Sequence, residues 1–266
     1  TAFTAVRVLA RQLPLPGSLG AFGLILGGVP LMGSFITEPA AMTLGALMLS
    51  EQFFARGISV RLKYASLAVL LVNVSIGGTL TPFAAPPVLM VAATWGWDLG
   101  FMFSTFGIKA LLAVLVNTVA VGVLFRKELA SLSPAQDAAQ ISPVPGLLSL
   151  VHYLFLAGVV YFSHHPGLFM GLFVAFVGVV HAYERHQDRL IWREALLVAF
   201  FLAGLVVLGG QQQWWLQPVL MGMDSHVVFW GALVLTAFTD NAALTYLGSL
   251  VEGLSDAFKY ALVAGA

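Results

Sequence analysis

The chain has no cysteine and few charged residues, and both shortages restrict what it can be. Without cysteine, disulfides, thiolate metal sites and cysteine nucleophiles are excluded. Charged residues make up 9% of the 266 positions and hydrophobic residues 59%, whereas soluble domains carry about 25% charged residues. So few charges cannot cover a globule in water, and we expect an all-α polytopic membrane protein whose solvent is the lipid bilayer.

Neither sign of charge predominates, since twelve basic residues balance twelve acidic ones. No basic field is present to attract nucleic acid, so we expect no nucleic-acid partner. The common enzyme motifs, such as Gly-x-Ser-x-Gly, His-Glu-x-x-His and the P-loop, are also missing. We therefore expect a protein that is not an enzyme and needs no cofactor.

Polar breaks divide the chain into apolar segments. These are residues 18–36 and 40–54 around Thr37-Glu38-Pro39, residues 63–97, a long helix from 98 to about 126, spans at 147–162, 167–183 and 195–210, and a final pair at 227–238 and 242–250 around Thr239-Asp240-Asn241. Residues 128–146 are rich in Ser, Ala, Gln and Pro and predict a solvated linker. The chain begins at Thr1 and stops within an apolar run, so we expect that sequence is missing at both ends.

The segment 63–97 is interrupted over residues 73–87, where two glycines and three prolines make a continuous helix improbable. Irregular backbone at membrane depth is tolerated where it lines a cavity, and its freed polar groups can hold an ion. The hydroxyl, amide and carbonyl oxygens there suit a hard cation such as Na⁺; they belong to Asn73, Ser75, Gly77, Gly78, Thr79 and Thr81. A packing kink is the alternative, because Gly and Pro are frequent in membrane helices.

Two acidic residues, Glu38 and Asp240, each lie between paired apolar arms. A carboxylate near the bilayer centre costs about 2.5–3.5 kcal/mol, and such residues usually mark ion or proton pathways. We expect Asp240 to bind Na⁺ when ionised and to release it when protonated. Alternatively, Asp240 caps the following helix, and Glu38 is merely solvated if the arm before it spans fully. Gly27, Gly28 and Pro30 permit a shorter, re-entrant arm.

Lys109 lies about eleven residues into the helix that follows Asp98, near the midplane of a hydrocarbon core about 30 Å thick. We expect its ammonium group to pair with Glu38 or Asp240. Snorkelling to an interface and a buried structural contact are the alternatives.

The two arm pairs resemble each other in sequence. Thr, an acid, Ala-Ala and Thr recur in Thr37-Glu38-Pro-Ala-Ala-Met-Thr43 and Thr239-Asp240-Asn-Ala-Ala-Leu-Thr245. If each pair returns the chain to its side of entry, five crossings separate the pairs, and ten of the twelve basic residues fall on one, cytoplasmic, face. An odd number of crossings makes the repeats inverted, as in secondary transporters. We expect a first repeat at 1–97, scaffold helices with a cytoplasmic linker at 98–194, and an incomplete second repeat at 195–266.

The strings at 76–87 and 239–249 resemble the ion transporter superfamily, which includes NhaD-type sodium/proton antiporters, arsenite permeases and divalent-anion/sodium symporters. Within it they resemble a bacterial family of Na⁺/H⁺ antiporters. The resemblance implies two re-entrant hairpins with tips at Thr37-Glu38-Pro39 and Thr239-Asp240-Asn241, two broken helices, and a homodimer in the bacterial inner membrane. At the first tip this sequence has Glu-Pro where the second has Asp-Asn.

We therefore expect exchange of Na⁺ for H⁺, with the ion held between hairpin tips and broken helices. The expected ion-binding and proton-carrying residues are Asp240, Asn241, Thr239, Thr245, Glu38, Thr37, Thr43, Asn73, Ser75, Gly77, Gly78, Thr79 and Thr81. The principal alternative is a sodium-coupled permease for dicarboxylates or arsenite, although the carboxylates at both tips would repel an anion. An intramembrane enzyme and a non-transporting scaffold are more distant alternatives.

Overall fold

The computed structural model describes residues 18–132, 145–162, 165–186 and 192–266, and every regular element in those ranges is helical. The helices, in chain order, are α1 (Leu19–Ile36), α2 (Glu38–Gln52), α3 (Val60–Gly77), α4 (Pro86–Trp95), α5 (Leu99–Leu124), α6 (Arg126–Ser131), α7 (Gly146–Tyr161), α8 (Pro166–Ala182), α9 (Trp192–Gly209), α10 (Gln213–Met221), α11 (Ser225–Thr236), α12 (Asn241–Ser249) and α13 (Asp256–Gly265).

The chain forms two compact units. Unit 1 comprises Thr1–Leu80 and Thr105–Arg189, and unit 2 comprises Thr81–Ser104 and Leu190–Ala266. The first boundary falls inside the interrupted segment that the sequence singled out. The units follow contacts rather than order along the chain, so the expected division at 97 and 194 stays a prediction.

In unit 1, α1 and α2 form an antiparallel hairpin that packs on α3. The hydrophobic core of this unit joins Phe22, Ile25 and Leu26 of α1 to Met48 and Leu49 of α2, and all five are fully buried or nearly so. The middle of α1, at Leu24–Gly28, has π-helical geometry, and single π turns of this kind are frequent at functional sites. A single residue, Thr37, connects α1 to α2.

The short helix α6 extends into the stretch that the sequence predicted as a solvated linker. Leu129 is fully buried, and its carbonyl accepts a hydrogen bond from the Ser18 amide at 3.3 Å. The Glu128 carboxylate accepts hydrogen bonds from the amide and the hydroxyl of Ser59, at 2.6 Å and 2.9 Å. Residues 128–132 are therefore part of unit 1 and not linker, because their carboxylate and apolar side chains find partners on other helices. Most of the predicted linker, at 133–144, lies outside the described residues.

In unit 2, α4 packs against α12, and α11 packs against α13. The hydrophobic core of this unit includes Leu216 of α10, Val228 of α11, and Phe258 and Leu262 of α13. The Tyr246 hydroxyl of α12 donates to the Val206 carbonyl of α9 at 2.9 Å. These contacts fix α12, and with it the second predicted tip, to the rest of the unit.

Among the residues that the structure describes, three helices are long and apolar enough to cross a membrane: α1, the segment Val60–Leu80, and α5. Within the described ranges a fourth span is possible if α9 and α10, which meet at an angle of 79°, form one broken crossing. Helices α7 and α8 are apolar but have only 16 and 17 residues, the lower limit for a transmembrane helix. The expected five crossings therefore stay a prediction.

Candidate functional site

The structure confirms the predicted interruption of the third helix. Helix α3 ends at Gly77, a short 3₁₀ turn covers Gly78–Leu80, and regular helix resumes only at Pro86. Gly77 is required by packing, since a Cβ at this position would lie 2.5 Å from the Pro30 carbonyl oxygen of α1. The backbones of α1 and α3 therefore touch directly where α3 breaks.

Ser34 joins α1 to both ends of the 3₁₀ turn. Its fully buried hydroxyl donates to the Gly77 carbonyl at 2.6 Å and accepts from the Leu80 amide at 3.0 Å. In this way two backbone groups at the break are satisfied by one side chain, as burial requires. Ser34 was not among the residues predicted from the sequence. The sequence feature that could have indicated it is a small hydroxyl residue within an apolar arm, one turn before the tip.

The first tip combines a strained residue with a carboxylate. Thr37 has φ +81° and ψ 152°, a conformation that costs a β-branched residue about 1–3 kcal/mol and that is typical of functional sites. The neighbouring Glu38 is half-buried, and its Oε1 accepts a hydrogen bond from the Ser75 hydroxyl at 2.8 Å. The structure thus brings together two residues that the sequence predicted as ion ligands, one on the tip and one on α3 just before its break.

The other predicted ligands in unit 1 form hydrogen bonds within their own segments. The Thr79 hydroxyl donates to the Ile76 carbonyl at 2.7 Å, and the Thr43 hydroxyl donates to the Pro39 carbonyl at 2.9 Å. In both residues the hydroxyl oxygen keeps lone pairs that can bind a cation. Gly78 is buried at the start of the 3₁₀ turn.

Asn73 is fully buried and connects three helices. Its amide nitrogen donates to the Leu26 carbonyl in the π-helical part of α1 at 2.7 Å and to the Thr118 hydroxyl of α5 at 3.1 Å. Its amide oxygen accepts from Asn117 Nδ2 of α5 at 3.0 Å. These contacts give Asn73 a structural role, and its predicted role as an ion ligand stays a prediction.

We expect Asn73→Ala to lower the free energy of unfolding by about 1–3 kcal/mol, because it leaves the buried Leu26 carbonyl without its donor. The loss should be the same with and without Na⁺. Asn117→Ala is the matched control and should cost less, since it removes one contact of a half-buried residue. Apparent melting temperatures of the purified variants measure both effects, and an Asn73→Ala variant that is destabilised only in Na⁺ would contradict the structural role.

Lys109 lies on the exposed surface of α5, and its pair with Glu38 or Asp240 stays a prediction. Helix α5 buries Ala110, Val114, Thr118 and Val121 along one face, and Lys109 is exposed beside that face. Among the described residues, Lys259 and Asp256 form an ion pair of 3.2 Å in the first turn of α13. The Glu38 carboxylate accepts a hydrogen bond from the Ser75 hydroxyl.

At the second tip, in unit 2, Asp240 caps α12. Its Oδ1 accepts a hydrogen bond from the Ala243 amide at 3.1 Å, which confirms the capping role considered from the sequence. One oxygen of the carboxylate makes this contact, and the residue is exposed. A cap of this kind places a negative charge at a helix N-terminus, where the helix dipole favours it.

The neighbours of Asp240 differ in burial. The Thr239 hydroxyl is exposed and donates to the Leu235 carbonyl at 2.9 Å, while Asn241 is half-buried. Thr245 is fully buried, and its hydroxyl donates to the Asn241 and Ala242 carbonyls at 3.2 Å. The structure therefore places Thr239, Asp240 and Asn241 at the accessible end of α12 and Thr245 within the packed part of the unit.

The two helices on either side of the second predicted tip are short. Helix α11 has 12 residues and α12 has 9, which correspond to about 18 Å and 14 Å at 1.5 Å per residue. Both lengths fall well below a hydrocarbon core of about 30 Å. Helix α1, with 18 residues, is by contrast long enough to cross.

The chain was compared with protein families, with curated proteins and with solved structures, and a family model matches it. No curated protein and no solved structure matches the chain. A family model described as "Putative Na+/H+ antiporter" matches residues 1–266, which is the whole chain. The long apolar helices agree with a family of membrane ion transporters. The chain therefore belongs to this family of Na⁺/H⁺ antiporters and is a membrane transporter rather than an enzyme.

Proposed function

We propose that the chain exchanges Na⁺ for H⁺ as a secondary active transporter, with Glu38 and Asp240 as the groups that bind and release the proton. The observation that carries this proposal is the hydrogen bond between the Glu38 carboxylate and Ser75, 2.8 Å long, next to the break in α3. It brings a carboxylate and a hydroxyl group together in a hydrophobic part of the chain. Hard oxygen ligands of this kind suit a cation such as Na⁺.

At the first tip, Na⁺ binds to the ionised Glu38 carboxylate together with the Ser75 and Thr79 hydroxyls. Protonation of Glu38 removes the negative charge, and the cation then loses its principal attraction. Proton and Na⁺ therefore compete for one carboxylate, which couples the flow of one ion to the opposite flow of the other. The strained Thr37 directly precedes Glu38, which is the first residue of α2.

At the second tip, Asp240 acts in the same way for unit 2, with Thr239 and Asn241 as neutral oxygen ligands. The cap contact occupies Oδ1, and Oδ2 remains to bind a cation. The two hairpins also share a packing feature: Gly45 after the first tip lies against Leu70 of α3, and Gly248 after the second tip lies against Leu262 of α13. This similarity and the short arms of the second hairpin support inverted repeats with re-entrant hairpins.

The rest of the proposal concerns the surroundings of the protein. We place it as a multi-pass protein in the bacterial inner membrane, as a homodimer, with Na⁺ and H⁺ as its transported partners and without a resident cofactor. Exposed apolar side chains along α5, such as Leu112, Val116 and Val119, provide surface for lipid or for a second copy.

Flux measurements in proteoliposomes test the proposed exchange. Vesicles that contain the purified protein and an internal pH dye are acidified inside, and Na⁺ is then added outside. We expect Na⁺ to dissipate the pH gradient with saturable kinetics, whereas choline should not. No response to Na⁺, Li⁺ or K⁺ would reject exchange. Sodium-dependent uptake of citrate or arsenite without a pH change would instead support the anion permease.

A further inference from the structure

We propose that Ser34 is a positioning residue that fixes the geometry of the broken helix against the first hairpin and thereby sets the affinity for the cation. The link to cation affinity rests on the proposed exchange function, whereas the link to helix geometry does not. Ser34 lies on α1, three residues before the strained Thr37, and its hydroxyl reaches the break in α3.

The two contacts of the Ser34 hydroxyl are made with the first turn of the 3₁₀ segment. The Gly77 carbonyl begins this turn and the Leu80 amide ends it, and the hydroxyl lies 2.6 Å from one and 3.0 Å from the other. A side chain that contacts both ends of a turn resists its opening and its closing. Through Ser34, helix α1 therefore holds α3 in its broken form.

Another hydrogen bond of this turn, from the Thr79 hydroxyl to the Ile76 carbonyl, stays within its own segment and does not connect the turn to α1. The backbone of Gly77 is in direct contact with that of Pro30, which brings α1 and α3 together but bonds no polar group. Ser75, one turn earlier, is held by Glu38, and this contact changes when the carboxylate takes up a proton or a cation. Ser34 is a neutral residue, so its contacts with the turn persist through the transport cycle.

Ser66, which lies on the broken helix α3, provides a matched comparison. It is also fully buried, and its hydroxyl donates to the Leu62 carbonyl of its own helix at 2.6 Å. Ser66→Ala therefore removes the same atom from the same kind of environment without separating two helices. Any difference between Ser34→Ala and Ser66→Ala reports the bridge and not the loss of a buried hydroxyl.

The first measurement is structural and needs no transport. The chain has no cysteine, so Leu80→Cys introduces a single thiol at the end of the turn. Its rate of reaction with a maleimide in detergent is compared in three backgrounds: otherwise wild type, Ser34→Ala and Ser66→Ala. We expect Ser34→Ala to increase the labelling rate about fivefold or more and Ser66→Ala to leave it unchanged. Equal rates in the two serine variants would overturn the proposal.

The second measurement links the bridge to the cation. In the proteoliposome assay, without the cysteine, Ser34→Ala should raise the KM for Na⁺ about tenfold, which corresponds to about 1.4 kcal/mol. The maximal rate should change less than twofold, and Ser66→Ala should change neither value. An unchanged KM together with faster labelling would reject the effect on affinity. If the wild-type protein shows no response to Na⁺, the exchange function is rejected. The labelling test then still decides whether the Ser34 hydroxyl holds the turn in place.

A second pair of variants guards against loss of the folded state in Ser34→Ala. Threonine and valine have nearly the same shape, but only threonine has a hydroxyl. Ser34→Thr should keep the slow labelling and the low KM, and Ser34→Val should show the fast labelling and the high KM. If Thr and Val at this position behave alike, the hydroxyl does not position the break.

Discussion

Replacing Asp240 with asparagine should abolish Na⁺/H⁺ exchange and leave α12 folded. Asparagine is as good a helix cap as aspartate, so the hydrogen bond from the Ala243 amide persists. An amide, however, neither takes up a proton nor offers a negative charge to Na⁺. We expect the Na⁺-induced pH change in proteoliposomes to fall about 100-fold or more, the equivalent of about 2.8 kcal/mol, with an unchanged melting temperature.

Two further aspartates of unit 2 serve as controls, because they cap helices in the same way. Asp98 accepts a hydrogen bond from the Phe101 amide at 2.7 Å, and Asp224 accepts one from the His226 amide at 3.3 Å. Asp98→Asn and Asp224→Asn should leave the exchange rate within about twofold of wild type, since the cap survives in each. If all three variants keep full exchange, Asp240 does not carry the proton.

The break in α3 could be predicted from the sequence because local chemistry determines it. Two glycines and three prolines within residues 73–87 are incompatible with a regular helix in any packing environment. The observed interruption, from Gly78 to the residue before Pro86, lies within that range. The Asp240 cap was equally accessible, since it depends on residues that are close in sequence.

The partners of the buried polar groups could not be predicted, because they depend on which helix faces lie together. Ser34 and Gly77 are 43 residues apart, and no pattern in either segment specifies that the hydroxyl of one meets the carbonyl of the other. The sequence predicted that Asn73 binds an ion only because its side chain has an amide oxygen. The structure shows its amide between α1 and α5, a use that the same chemistry allows.

The charged groups illustrate the same limit. Lys109 was assigned a carboxylate partner from its depth along α5, but depth does not determine which face of a helix a residue occupies. In the structure it lies beside the buried face. Glu38 was placed at a tip from the order of apolar arms, and its contact with Ser75 follows from the close approach of α1, α2 and α3.

Gly77→Ala should have the largest effect on the folded state of unit 1. The added methyl group would lie 2.5 Å from the carbonyl oxygen and 2.7 Å from the carbonyl carbon of Pro30. Both atoms are backbone, so no side chain can rotate away, and α1 and α3 must separate. Separation breaks the contacts of Ser34 with the turn and the Ser75–Glu38 hydrogen bond. Exchange should therefore be lost.

The size of the effect follows from the cost of overpacking. Extra methylene groups in a packed core cost about 1–3 kcal/mol, and a clash with backbone belongs at the upper end of that range. At about 2–4 °C per kcal/mol for a protein of this size, Gly77→Ala should lower the apparent melting temperature by about 6–12 °C. Thermal unfolding of the purified protein in detergent measures the shift.

Two other glycines calibrate this result. A Cβ at Gly45 would lie 2.6 Å from Leu70 Cδ1, the end of a flexible side chain, so Gly45→Ala should be destabilising by less than Gly77→Ala. A Cβ at Gly23 meets no atom within 4 Å, and Gly23→Ala should be neutral or slightly stabilising because alanine favours the helix. We expect the melting temperature to be highest for Gly23→Ala, lower for Gly45→Ala and lowest for Gly77→Ala. A Gly77→Ala variant as stable as Gly23→Ala would show that α1 and α3 do not meet through their backbones.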